Sequence, residues 1–508
     1  MPACSESRAG RSGRFFGSIG PFLLAAFLTS FAQAKPPNVV LIMADDLGWR
    51  DLGYHDSEIE TPHIDRMATE GIALERFYVQ PICSPTRAEV MTGKSSARLG
   101  VVRPISKLDP KGLPLEEKIL PQFLAEAGYQ SLMVGKWHLG HVEKRYFPHE
   151  RGFEHFYGHV TGGIGYWDHN HGGGHDWQRN GTTVREEGYS TQLIADEAVR
   201  LLEGRDRSRP TFLFASFNAP HLPNEAPASS FSAYSQELRA ERRIHAGMVA
   251  ELDTAVGRIL AKLAAEGMRD DTLVWFFSDN GGLNPSASPE GLNRLVDQLV
   301  SVFGEPLPLE ALEFVRQNVQ DGASDNSPLR AGKTAVYEGG IRVPSVIWWP
   351  GHTVPGESTA FVTAQDVLPT LLEAAGLEDE IPDDLDGVGR WKAILADDVS
   401  APESNSIPDF RVQGMGEVAL IRSPWKVVVS NPPFPWVDSV PELYNIYDDP
   451  SEEVDRATEF PERVAELQAA LDAWPLGPPV HASLFWILLD PDAFGGPEDR
   501  APWAEAAP

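Results

Sequence analysis

Cysteine is almost absent. The 508 residues contain two, Cys4 and Cys83. Cys4 falls in a stretch with the marks of an export signal: Arg8, Arg11 and Arg14, an apolar run over 22–31, and the small-residue site Ala32-Gln33-Ala34 before Lys35. Residues 1–34 are therefore read as a signal peptide. The mature chain is expected to be exported, periplasmic or extracellular, with one thiol and no internal disulfide. A lone thiol in such a protein calls for a use.

Positive charge is also scarce. Lys and Arg number 43 against 73 Asp and Glu, a formal net charge of −30. Such a surface repels phosphate backbones and excludes nucleic acid as a partner; an anionic substrate needs a local basic pocket. Long apolar runs are missing too. The run in the leader is too short to span a bilayer and nothing later approaches that length, so no transmembrane span is expected in the mature chain. With 42% hydrophobic and 23% charged residues, the composition is that of a globular protein, long enough for one large domain and a smaller one.

What is present is an alternation of buried strands and amphipathic helices. Strands are expected at 38–44, 131–134, 211–217, 272–277 and 345–349, and helices near 61–70 and 120–127 and over 189–203, 242–265 and 366–375. This is α/β architecture with a large, mostly parallel sheet between helices. An acidic linker rich in Ser and Pro, 397–408, leads to short strands at 418–421, 426–429 and 442–446 and a helix over 460–474. The expected organisation is a catalytic domain over 35–398 and a small C-terminal α+β subdomain with its tail over 399–508.

In open α/β sheets ligands bind beyond the carboxyl ends of the strands. Four apolar runs lead there into reactive groups: Asp45-Asp46, Gly135-Lys136-Trp137-His138, Ala219-Pro220-His221 and Asp279-Asn280-Gly281-Gly282. Parallel neighbours would bring all four to one edge. Asp45, Asp46, Asp279 and Asn280 offer oxygen ligands, which suit a hard cation, Ca²⁺ or Mg²⁺, better than Zn²⁺. Helix capping is the competing reading of either pair.

In Cys83-Ser84-Pro85-Thr86-Arg87 the proline suits a first helical turn, which places Cys83 at a helix N-terminus where an anion is favoured. Arg87, one turn on, can grip sulfate or phosphate oxygens. The competing reading, a buried apolar cysteine, fits these polar flanks poorly. His138, His221 and Lys333, taken singly, read as structural histidines and a solvated lysine.

Together these segments resemble the sulfatase family, within the alkaline phosphatase superfamily. Residues 83–93 match its signature: Cys, any residue, Pro, Ser or Thr, Arg, and after four intervening residues Thr-Gly. Asp45-Asp46, the GKWHLG run at 135–140, the His after Ala-Pro, the SDNGG run at 278–282, and Lys333 ahead of Tyr337-Glu338-Gly339-Gly340 follow in family order. The likeness covers about 36–475 and is nearest to the N-acetylgalactosamine 4-sulfatase (arylsulfatase B) branch. It implies an alkaline phosphatase-like fold and oxidation of Cys83 to formylglycine by a formylglycine-generating enzyme. It also implies one Ca²⁺ held by Asp45, Asp46, residue 83, Asp279 and Asn280. The hydrated aldehyde would attack sulfur, with Arg87, Lys136 and Lys333 stabilising charge. His221 with Lys333 would protonate the leaving alcohol, and His138 would take the proton whose loss expels sulfate.

The implied substrate is a sulfated carbohydrate, with 4-sulfated N-acetylgalactosamine of chondroitin or dermatan sulfate as the leading candidate. The alternative is a phosphonate monoester or phosphodiester hydrolase of the same superfamily. A dead carbohydrate-binding relative would have lost a reactive group, and none is missing. One stretch departs from the pattern: 283–326, between two site motifs, is expected to add two helices (289–303 and 309–318) at the pocket rim. Opposite it, the Gly-rich stretch with His169, His171 and His175 reads as a polar loop, with a metal site as the competing reading.

Overall fold

The computed structural model describes residues 36–474 apart from 107–108, 172–173, 285–299, 303, 305–321, 397–407, 415 and 431–438. The expected leader, linker and tail and the two insert helices lie outside the described residues, apart from 300–302 and Pro408.

The strands of the first half are β1 (Asn38–Ala44), β2 (Ile72–Leu74), β3 (Phe77–Tyr78), β4 (Gln130–Lys136), β5 (His155–His159), β6 (Asn170–His171), β7 (Gly174–His175), β8 (Gln178–Arg179) and β9 (Thr182–Thr183). Then come β10 (Thr211–Ser216), β11 (Thr272–Ser278), β12 (Ser345–Trp348), β13 (Gly356–Ser358) and β14 (Val362–Thr363). The main sheet has ten strands in the order β13-β2-β12-β11-β1-β10-β4-β5-β8-β9. Its middle, β11-β1-β10-β4-β5, is parallel, with Ala44 opposite Ser278, Met43 opposite Ser216, and Lys136 opposite His159. The four sequence runs are therefore neighbours, ending side by side.

β1 shows why these runs are continuously apolar. Val39, Leu41 and Met43 join the core on one face of the sheet, Val40, Ile42 and Ala44 that on the other. Helices α1 (Pro62–Glu70), α4 (Ser190–Gly204) and α6 (Ala240–Ala265) cover the second face; α2 (Cys83–Thr92) and α3 (Leu120–Glu126) cover the first, with the helix Val367–Ala374. The short α5 (Ala228–Phe231) sits between α4 and α6 in sequence. This is the doubly covered, mostly parallel sheet expected.

After the linker, β15 (Phe410–Gln413), β16 (Glu417–Arg422), β17 (Trp425–Ser430) and β18 (Glu442–Asn445) form an antiparallel sheet, backed by the helix Pro461–Asp472. Its other face shares a core with Tyr78, Val336, Ile341 and Phe361 of the main body. A buried ionic knot reinforces that seam. Lys426 Nζ lies 3.1 Å from Glu338 Oε1 and 2.7 Å from Glu452 Oε1, while Tyr78 donates its hydroxyl to Glu338 at 2.8 Å.

Candidate active site

The loops leaving β1, β4, β10 and β11 are stitched together by backbone hydrogen bonds. The Asp279 N–H donates to Ala44 O, and the Asp45 N–H to Ala219 O, both at 3.1 Å. Two residues at these ends take the left-handed backbone conformation that side chains other than glycine's rarely adopt: Asp46 (φ 66°) and His138 (φ 59°). Such strain persists where the surroundings enforce it and concentrates at functional sites. Gly135, at φ 95°, lets β4 approach β10 closely; a Cβ there would stand 1.8 Å from Ser216 O.

Asp45, Asp46, Asp279 and Asn280 are all buried, facing three buried cations. Lys136 Nζ lies 2.6 Å from Asp45 Oδ2, and Lys333 Nζ 2.6 Å from Asp46 Oδ2. Arg87 sets Nε and Nη2 at 2.9 and 2.8 Å from Asp279 Oδ2; its Nη1 donates to Ser216 Oγ and Lys136 O. Burial disfavours the ionised form of Asp46, yet Lys333, His221 and Lys136 hold its carboxyl well below the usual range. For Asp45 burial wins and, with the neighbouring acids, pushes the group up to about 7.

Cys83 opens α2, and its thiol points at the two acids, 3.4 Å from Asp45 Oδ1 and 4.0 Å from Asp46 Oδ1. Burial, then Asp279, pushes the thiol well above its ordinary value. A thiol so held is a poor thiolate nucleophile, so cysteine chemistry of the ordinary kind is disfavoured here. Ser84 locks this end of the helix: its hydroxyl donates to His138 O at 2.9 Å and accepts from the Ile105 N–H at 3.2 Å.

Both histidines are kept neutral. Burial, then Lys136, lowers His138 well below its usual range; burial, then Lys333, brings His221 down to about 3. His138 Nε2 faces the Ile105 carbonyl at 3.3 Å, which requires a proton on that nitrogen and leaves Nδ1, buried without a partner, as a lone pair. His221 Nδ1 donates likewise to Leu222 O at 2.7 Å, and Nε2 lies 3.6 Å from Asp46.

The donor set fits a cation. Ligand atoms of Asp45, Asp46, Cys83 and His221 all lie within 4.8 Å of one another. Asp279 Oδ1 accepts from the Asp46 N–H at 3.3 Å. Asn280 donates to Asp46 Oδ1 at 2.7 Å, while its own Oδ1 is buried with no partner. An orphaned amide oxygen beside two carboxylates is costly unless a positive charge shares the space. Carboxylate and amide oxygens suit a hard ion.

The structure thus brings together the residues that the family likeness implied for the site: Asp45, Asp46, Cys83, Arg87, Lys136, His138, His221, Asp279, Asn280 and Lys333. Lys333 arrives from beyond the 283–326 insert because its N–H donates to Gly282 O at 3.0 Å; Asn326 brackets the same glycine, accepting from its N–H and donating to its carbonyl. Ser84, Ser216 and Asn326 were not singled out in the sequence. Serine and asparagine are common in turns, and only the three-dimensional partners distinguish these. The histidines of the Gly-rich stretch each face a backbone carbonyl: His169 Nε2 meets Gly188 O at 3.1 Å, His175 Nε2 meets Val184 O at 2.8 Å, and His171 Nδ1 meets Gly163 O at 2.5 Å.

Comparison with known proteins agrees with this geometry. The family model described as Sulfatase matches residues 37–377, and the chain belongs to the sulfatase family. Arylsulfatase J of Mus musculus is 34% identical over 375 residues, covering 72% of this chain and 56% of that protein. N-acetylgalactosamine-6-sulfatase of Homo sapiens is 32% identical over 384 residues, covering 71% and 66%. The chain thus spans less than two thirds of the length of either relative. Among solved structures, Ps i-CgsB in complex with k-i-k-neocarrahexaose superposes with a TM-score of 0.73 at 27% identity, covering 88% of this chain and 94% of that one.

Proposed function

We propose that this chain is a sulfuric ester hydrolase acting on a sulfated saccharide. The observation that carries the reading is the placement of Cys83: a buried, un-ionised thiol at a helix N-terminus, between paired carboxylates and three buried cations. Such a thiol is better suited to conversion than to attack, and the reading includes its oxidation to formylglycine by a separate formylglycine-generating enzyme. The hydrated aldehyde would supply the nucleophilic oxygen and the second hydroxyl needed for release. Asp45, Asp46, residue 83, Asp279 and Asn280 would hold one Ca²⁺, which when bound polarises the sulfate oxygens and favours the attacking oxyanion.

The chain's own residues supply the rest. Arg87, fixed by Asp279 and Ser216, stands one turn from residue 83 and, with Lys136 and Lys333, offsets charge on the transferring group. Lys333 is held charged by Asp46 against the cost of its burial, next to a neutral His221; the two share one proton that can pass to the leaving alcohol. His138 presents a free Nδ1 lone pair, ready to accept the proton whose loss releases sulfate.

For the sugar, the motif likeness favours 4-sulfated N-acetylgalactosamine, while a matched relative is named for the 6-sulfate. Read as a signal peptide, residues 1–34 would direct export to the periplasm or the extracellular space; no described helix is long and apolar enough to cross a membrane. The division into a catalytic domain over 35–398 and a C-terminal part over 399–508 belongs to the same reading. Parallel assays of the matured chain on an aryl sulfate and an aryl phosphate diester test it, with mass spectrometry of residue 83. Turnover of the sulfate with an aldehyde at 83 is expected. Turnover of phosphate diesters alone would point to the phosphodiesterase alternative instead.

A further inference from the structure

The loop 161–170 follows β5 and passes close against both histidines. A Cβ at Gly162 would lie 2.6 Å from the His138 ring, and one at Gly163 3.0 Å from the His221 ring. Further along, Tyr166 turns inward and donates its hydroxyl to the carbonyls of Asn218 and His221. Trp167 turns outward. It is 49% exposed, and among the described residues it is the one aromatic ring among the exposed large hydrophobic side chains.

The indole is not loose. It meets the ring of Tyr189 at 5.1 Å, and Tyr189 stacks on Tyr166 at 5.1 Å with an interplanar angle of 19°. The Gly165 N–H closes the loop on Asn170 O at 3.0 Å, and the His169 ring lies flat on buried Trp177 at 4.6 Å. An exposed aromatic face held this firmly binds without first losing conformational freedom. Acids flank it: Asp168 accepts from Asn170, and Glu225 accepts the Tyr166 N–H at 2.7 Å. After burial, repulsion from Asp168 contributes to the raised pKa of Glu225, so the two carboxylates share one neighbourhood.

An aromatic face carries partial negative charge and attracts the C–H bonds of a pyranose; carboxylates alongside accept from its hydroxyls. A sulfate or uronate placed there would be repelled. We propose that Trp167 is the platform for an uncharged sugar ring joined to the sulfated residue, so that the enzyme prefers oligosaccharides with a neutral neighbouring sugar. This rests on the sulfated-saccharide reading and extends it. Four residues of chain span at most about 14 Å, which keeps Trp167 within reach of the next sugars along a substrate anchored near Gly163.

The test uses the full chain. Calorimetric titration of a sulfated oligosaccharide with a neutral neighbouring sugar into Cys83→Ala reads binding without turnover. Adding Trp167→Ala is expected to weaken binding about tenfold, and Trp167→Phe much less. In the matured enzyme, Trp167→Ala should lower the ratio of kcat/KM on that oligosaccharide to kcat/KM on an aryl sulfate, through KM. Unchanged oligosaccharide binding overturns the proposal, as does tighter binding of a uronate-neighboured substrate. Loss of aryl sulfate turnover in the wild-type chain strikes the sulfatase reading alone, since the titration does not depend on it.

Discussion

The hydroxyl of Ser84 is bonded to the backbone of His138, and through Ile105 it also governs the imidazole: the Ile105 N–H donates to Ser84 Oγ, and the Ile105 carbonyl accepts from His138 Nε2. One small side chain thus ties the helix of Cys83 to both ends of a histidine in a strained backbone conformation. Ser84→Ala leaves a buried N–H and a carbonyl without their partner, at a cost of about 1–3 kcal/mol. The expected outcome is a lower unfolding midpoint and a kcat reduced about tenfold on an aryl sulfate, with a smaller change in KM. A variant with wild-type kcat would show that His138 needs no such anchoring.

Removal of divalent ions should act on both activity and stability. Ligand oxygens of Asp45 and Asp46 lie within 4.8 Å of one another, and the Asn280 carbonyl oxygen is buried without a partner. Chelation is expected to abolish turnover and lower the thermal midpoint, with Ca²⁺ restoring both. A chelated enzyme that keeps its full midpoint and rate would exclude the oxygen-ligand site.

Glu89 gives the fold a pH dependence of defined sign. Its carboxyl is wholly buried on α2, accepts from Gln80 and from the Ser96 N–H, and is raised by burial from 4.5 to about 8. Between these values the folded chain keeps a proton that the unfolded chain has released. The group's contribution therefore falls as pH rises through that window, by about 1.4 kcal/mol per pH unit at the steepest. Glu89→Gln should flatten the decline in denaturant midpoint between pH 5 and pH 8, both about one unit or less from the window's ends. An unaltered slope would mean that other groups set it.

Lys426 neutralises two buried acids at the seam with the C-terminal sheet. Lys426→Met leaves Glu338 and Glu452 without their shared cation, a loss of about 3–5 kcal/mol for a broken buried pair. Chemical denaturation should show it. Because Glu338 lies five residues after Lys333, aryl sulfate turnover should also fall. A loss below about 1 kcal/mol would place the seam's strength in its apolar core instead.

Much of this site was legible because strands buried on both faces announce themselves. The run 38–44 has no polar face to alternate with, and the observed strand has the expected bounds. The reactive residues were found as the first polar groups after such runs. Sheet order was not legible, since periodicity says which face a residue takes and nothing about its neighbours. β5 escaped because its sequence, HFYGH, mixes polar and apolar groups that, His155 apart, are all buried. β4 ran past its expected end at Val134 to include Lys136, whose ammonium meets Asp45, the residue just after β1.

Asp51 was equally hidden. It follows Trp49-Arg50 in an unremarkable turn, yet it is wholly buried and accepts from Arg242, His245, Ser324 and the N–H groups of Gly48 and Asp325. Burial opposes its charge, but Arg242 and His245 hold it far below the usual carboxylate range. No local pattern reveals partners some 190 and 270 positions away.

The seam at Glu338 bears on how the gene can be cut. A fragment ending near residue 400 would retain every residue proposed for the site and still lack Lys426, stranding the Glu338 carboxylate five residues after Lys333. Trimming toward a minimal enzyme must therefore keep the last sheet, and reporters or tags belong beyond it.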